Sequence, residues 1–281
     1  MPDRSLVAGA NALFRAKETA RAPASRILED RWAGALAERD PRIQAIRFAR
    51  FLVPPLHRSI DELQTAHCVR HRSIDELILG AVEHDGFRQV ILVGAGYDMR
   101  ASRFRDRLDG VRWIEIDHPA TQRRKLELLR RSSGTRPVEH AAVDLLRGSL
   151  HQALAATSHD PRSPTVVVAE GLVHYLDAAR LDALLGDVAA AAPEVRFVFS
   201  FIEDAMYLRA SPTFLSLVTA VREVPALSFS RADLASRCAR HGLGRFRAWS
   251  AEEQVAAFAP AARGRALRLS QEVAMVERLA E

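Results

Sequence analysis

The chain has 281 residues, 48% hydrophobic and 27% charged, a balance that excludes a disordered or fibrous protein and allows a sizeable core. Its net charge is +5, but lysine stands only at 17 and 125, so 38 of the 40 basic residues are arginines scattered among 35 acids. With 6% aromatics, that spread argues against a nucleic-acid binder, which gathers its cations on one face.

Residues 1–84 read as a helical cap. Ala12, Leu13, Ala16 and Ala20 have helical spacing ended by Pro23; a second helix is expected from about Ser25, with Ile27, Leu28, Trp32 and Leu36 on one side, broken at Asp40-Pro41. A third holds Ile43, Ile46, Phe48 and Leu52 and stops at Pro54-Pro55. HRSIDEL then occurs at His57–Leu63 and again at His71–Leu77, an offset close to four helical turns, which puts both copies on one face of a continuous helix. Arg70 precedes the second copy.

From residue 89 the pattern alternates between strand and helix. Strands are expected at Val90–Val93, Val111–Ile116, Glu139–Val143, Thr165–Ala169 and Phe197–Ile202, with helices such as Ala120–Arg131 and Ala178–Ala192 between them. Ser230–Arg240 reads as an amphipathic helix, and Gly242–Trp249 with about Arg265–Val276 as a closing antiparallel hairpin. The alternation predicts an α/β fold, a mostly parallel sheet with helices on both faces. No linker divides it, so the expectation is one domain over 1–281, with 85–281 as the ligand-binding core.

The first strand runs into Gly94-Ala95-Gly96, and Asp98, Asp117, Asp144 and Glu170 each fall at or just past a strand end. Ligands of open α/β sheets sit beyond those ends. A carboxylate after the second strand suits ribose hydroxyls, and one after the third suits an adenine amino group. The sequence has neither GxGxxG nor GxxxxGK[ST], and Asp98 puts negative charge where a diphosphate would lie. The acids therefore predict a nucleoside ligand with a cationic end. Cys68 and Cys238 form no metal-ligand pattern and read as buried apolar residues; no metal is expected.

VGAGYDMRASRF, EIDHPATQRRKLELL, VDLL and VAEGLVHYL, in that order and spacing, resemble the leucine carboxyl methyltransferase family, and most closely its bacterial branch of polyketide and secondary-metabolite O-methyltransferases. The resemblance runs from about Asn11 to the C-terminus and is strongest from Arg70 to Leu176. It implies the Rossmann-like class I methyltransferase fold, a seven-stranded, mostly parallel sheet, with S-adenosylmethionine as cofactor and S-adenosylhomocysteine as product. It also implies site residues: Arg70 for the donor's carboxylate, Gly94, Ala95 and Gly96 beneath it, Asp117 for ribose, Asp144 and Leu145 flanking adenine, and Glu170 beside the methionyl amine. Arg15 is a looser match to a basic residue that reaches the donor. Tyr97 and Met99 depart from the family's leucine and threonine and bear on substrate shape.

The function implied is an O-methyltransferase of secondary metabolism acting on a small-molecule carboxylate or hydroxyl. A protein C-terminal carboxyl methyltransferase and a non-catalytic S-adenosylmethionine-fold binding protein stand as alternatives; a nicotinamide-dependent oxidoreductase is disfavoured by the glycine pattern. His174, Tyr175 and His118 are the residues from which a base or acceptor-pocket wall would come, and no base is assigned; Arg100 and Arg103 read as solvated or paired with nearby acids. No apolar run reaches the roughly 18–20 residues of a membrane span. Arg15 and Lys17 interrupt the N-terminal stretch where a signal core would be continuous, so a cytoplasmic monomer or homodimer without membrane or nucleic-acid partners is expected.

Overall fold

The computed structural model describes residues 5–41, 43–44, 56–130, 138–203, 228–267 and 270–278. Strands β1 (Gln89–Val93), β2 (Arg112–Asp117), β3 (Glu139–Ala142), β4 (Thr165–Ala169) and β5 (Val195–Phe201) run parallel in the order β3-β2-β1-β4-β5. The sheet is completed by β6 (Gly244–Trp249) and β7 (Glu272–Arg278). β7 lies antiparallel between β5 and β6, so six strands point one way and one the other. β1 and β4 are buried along their whole length. That is why Val90–Val93 and Val166–Ala169 read as unbroken apolar runs rather than as alternating ones.

Side chains of each strand alternate between two cores. Ile91, Val93, Ile114, Val167, Phe197 and Phe199 pack with Leu181, Leu185 and Val188 of the helix Ala178–Ala191 on one face. Val90, Leu92, Trp113, Val166 and Val168 meet Ile74, Ile78 and Phe104 on the other.

The N-terminal helices α1 (Ser5–Thr19), α2 (Arg31–Arg39) and α3 (Leu56–Glu83) close over the carboxyl end of β1. A small cluster of Ala12, Ala33, Leu36, Tyr97 and Met99 joins them to the loop after that strand. α2 starts later than the spacing of Ile27 and Leu28 suggested. The Asp30 carboxylate accepts from the Trp32 and Ala33 N–H groups and fixes the first turn there, leaving Ile27 and Leu28 to pack against Cys68, Val69 and Val255. Of the expected third helix only Ile43 and Gln44 are among the described residues; Ile46, Phe48, Leu52 and Pro54-Pro55 lie outside them.

The HRSIDEL copies do share one helix, α3, but not one environment. Asp61 is exposed, whereas Asp75 is buried between Arg100 and Arg103. The closing strands pair as expected but are not a simple hairpin. A capping box of Ser250 and Glu253 starts a helix, Ala251–Ala257, immediately after β6, and Arg265 reaches back to Glu18 instead of entering the sheet, which resumes only at Glu272. Cys68 and Cys238 are buried free thiols, and burial pushes the Cys238 thiol up to about 12.

Candidate active site

The β2, β1 and β4 ends are neighbours in the sheet, so the turn after β1 lies between Asp117 and Glu170. Gly94 and Ala95 donate to the Ile116 carbonyl at 2.8 and 3.2 Å, and the Gly96 N–H donates to Asp117 Oδ2 at 2.6 Å. Asp117 Oδ1 accepts from its neighbour's N–H, that of His118, also at 2.6 Å. Burial raises the Asp117 pKa, opposed in part by those two N–H groups. Gly94 and Gly96 both have positive φ, +70° and +51°. A Cβ on Gly94 would meet Leu172, and one on Gly96 would come within 3.2 Å of Ala8 in α1. Bare backbone is thus required where the turn faces the cap.

Between turn and cap is a cleft that opens to solvent at its mouth. Arg15, Arg70, Gly94, Ala95, Gly96, Asp98, Asp117, Glu170 and Tyr175 all line it. Asp144 and Leu145 do not. They follow β3 one strand further out, where Asp144 accepts from the Leu146 N–H and Leu145 packs on the core. His118 is taken out of contention as a base, because its Nδ1 caps the helix Pro119–Leu129 by accepting from Ala120 N–H. His174 is buried in a single helical turn against Tyr175, with ring centroids 4.3 Å apart, and does not line the cleft.

The ring of acids is not the bare anionic rim that the sequence suggested. Glu170 is held by Arg70 Nε at 3.0 Å, His71 Nδ1 at 2.8 Å and Arg100 Nη2 at 2.9 Å. Burial pushes its pKa up, but these neighbours outweigh that and hold it well below the ordinary carboxylate range. Arg100 is wholly buried rather than solvated: it also binds Asp75 at 2.6 Å, Asp98, and the His71 carbonyl. Arg103 binds Asp75 at 2.6 Å and His71 Nε2 at 3.0 Å. Arg15 adds Asp30 at 2.8 Å and the Tyr97 carbonyl at 2.6 Å. Four guanidiniums therefore face four carboxylates, Asp30, Asp75, Asp98 and Glu170, and this end of the cleft carries both signs.

His67 and His71, one helical turn apart on α3, were not singled out from sequence. Their HxxRH spacing was the available signal, since residues four apart share a helix face. With Glu170 they bring three ligand-type atoms within 4.8 Å of one another. Those atoms already face guanidinium N–H groups, and the surrounding arginines oppose a divalent cation. Burial and the adjacent Arg70 push the His67 pKa well down; burial and Arg100 lower that of His71.

The sheet order, the glycine turn and the acid after β2 define a class I methyltransferase fold, and solved structures share it. A DUF574 family protein from Streptomyces avermitilis superposes with a TM-score of 0.63 at 16% identity, over 93% of this chain and 99% of that one. A provisionally named methyltransferase from Thermobifida fusca gives 0.58 at 12% identity over 90% of both chains. The family model for leucine carboxyl methyltransferase matches residues 8–189, and the chain belongs to that family. Provisionally named S-adenosylmethionine-dependent methyltransferases are 37% identical over 175 residues in Streptomyces avermitilis, 59% of this chain, and 31% identical over 212 residues in a Mycobacterium species, 69% of it. The matches span 61% and 67% of those two proteins, and 45% of a similar Frankia alni protein that is 39% identical over 46% of this chain.

Proposed function

We propose that the protein is an S-adenosylmethionine-dependent O-methyltransferase acting on a small molecule of secondary metabolism. The observation that carries this reading is that one cleft gathers the Gly94–Gly96 turn, Asp117, Glu170, Arg70 and Arg15, residues from five separate parts of the chain. The fit is chemical as well as spatial. A bare turn admits a ligand against the backbone, Asp117 offers half-buried acceptor oxygens for a ribose, and the paired charges around Glu170 and Arg70 match the two signs of an amino acid zwitterion.

S-adenosylmethionine supplies an activated methyl group on a sulfonium, so the chain's task is to bind, orient and exclude water. Asp117 would hold the ribose, Arg15 and Arg70 the carboxylate, and Glu170 the ammonium. Tyr175 and Leu172 form the wall beside the turn where an acceptor would approach. Among the described residues, the imidazoles that line the cleft are His67 and His71, both lowered in pKa and both hydrogen-bonded to arginine. That favours an acceptor already ionised at neutral pH, a carboxylate, over one that must lose a proton during transfer.

The test is a radiolabelled methyl-transfer assay against small carboxylates, phenols and a peptide ending in leucine, since the family's name describes a leucine carboxyl acceptor. Alkaline treatment releases methanol from an ester and not from an ether. Labelled ether product would refute the carboxylate preference, and labelling of the peptide alone would refute the small-molecule reading. No helix among the described residues is long and apolar enough to cross a membrane.

A further inference from the structure

His67 is 4% exposed, and its ring lies between two guanidiniums. Nδ1 is 2.8 Å from Arg70 Nη2, and Nε2 is 3.3 Å from Arg15 Nη1. A guanidinium offers only donors, and a neutral imidazole has one accepting nitrogen, so the two contacts cannot both be hydrogen bonds. The shorter assigns acceptance to Nδ1 and places the proton on Nε2. The imidazole Nε2–H and the Arg15 Nη1–H then converge with no acceptor between them among the described residues. Arg15 Nε and Nη2 are already used, on Asp30 and the Tyr97 carbonyl.

Both side chains line the cleft. Two convergent donors, one of them cationic, exclude an ammonium and favour an oxygen bearing negative charge. Other groups facing the ring do not supply it: Glu170 Oε1 stands 3.9 Å from Nδ1, on the other side of the ring and bound to Arg70, and His71 and Phe14 contribute rings at 5.7 and 6.2 Å.

We infer that His67 is a ligand-binding residue whose Nε2–H, together with Arg15 Nη1–H, holds one carboxylate oxygen of the donor's amino acid. The inference rests on the donor reading of the cleft. It explains why an uncharged imidazole is placed between two arginines. A third cation there would repel Arg15 and Arg70, whereas a neutral N–H adds a directed donor and its Nδ1 keeps Arg70 aimed.

Calorimetric titration with S-adenosylhomocysteine and with 5′-methylthioadenosine, which has the nucleoside and sulfur but no carboxylate, tests this on the whole chain. His67→Phe should weaken S-adenosylhomocysteine by about 10- to 150-fold, the loss of a hydrogen bond to an ionised group, and change 5′-methylthioadenosine by less than about twofold. His67→Gln, which keeps both a donor and an acceptor, should recover most of the loss. Unchanged S-adenosylhomocysteine affinity in His67→Phe, or equal losses for both ligands, would overturn the assignment. Should His67→Phe not fold, the His67 Nε2–H resonance of the unaltered protein should shift with S-adenosylhomocysteine and not with 5′-methylthioadenosine; no shift would be equally decisive. If the unaltered protein bound neither ligand, the donor reading itself would fall, a result distinct from losing only the carboxylate preference.

Discussion

Replacing Arg100 with methionine should show how much the buried charge network contributes. The guanidinium is wholly buried and contacts Asp75, Asp98, Glu170 and the His71 carbonyl. Without it, Asp75 keeps Arg103, and Glu170 keeps Arg70 and His71. Asp98 loses the one cation it has among the described residues, retaining the backbone N–H of residue 100. Removing one partner from a buried ion pair costs about 3–5 kcal/mol, because the remaining charge stays out of water. Arg100→Met should therefore destabilise the protein by that amount in urea unfolding followed by tryptophan fluorescence. Asp98→Asn in the same background removes the stranded charge while its amide oxygen still caps residue 100, and it should restore at least about 1 kcal/mol relative to additivity. A loss below about 1 kcal/mol for Arg100→Met, or strict additivity of the pair, would refute the account of Arg100 as the network's centre.

Other expectations follow from the same geometry. Gly94→Ala forces a side chain into a φ of +70° against Leu172 and should cost about 1–2 kcal/mol in thermal or urea unfolding, with weaker S-adenosylhomocysteine binding. Asp117→Ala strands the Gly96 and His118 N–H groups and removes the proposed ribose acceptor, so S-adenosylhomocysteine affinity by calorimetry should fall about tenfold or more, and Asp117→Asn should fall less. His67 and His71 have folded pKa values below the ordinary 6.5, so the folded state binds fewer protons than the unfolded one. Their contribution is fully present above pH 6.5 and is lost as pH falls from there through the folded values, joined at lower pH by Asp75 and Glu170, whose carboxyl pKa values are also lowered. The urea midpoint should thus drop between about pH 7.5 and about pH 5; a flat midpoint over that span would show that the histidines titrate normally.

The strands were legible because burial wrote itself into them. Residues 166–169 are apolar at every position since β4 has sheet neighbours on both edges and a core on both faces. The site's outline was legible for a related reason: acids just past strand ends mark the rim where ligands lie, and Asp117 and Glu170 do flank the turn. The partners of those acids were not legible. Glu170 pairs with residues 70 to 100 positions away, and Asp75 with arginines 25 and 28 away. Nothing in a local window announces which of 38 arginines will be drawn inside. The start of α2 was misread for a simpler reason, since apolar spacing cannot outvote a carboxylate that captures two N–H groups at Asp30.

The placement of β7 bears on how the protein comes into being. It is the last strand in sequence, yet it is threaded between β5 and β6 and supplies the only sheet neighbour that β6 has among the described residues. During synthesis β6 must wait, unpaired, until residues 272–278 have left the ribosome, and a chain truncated before Glu272 would present the edge of β5 and the whole of β6 to other molecules. Assembly of this sheet is therefore closed from its middle, and C-terminal trimming would endanger solubility before it touched chemistry.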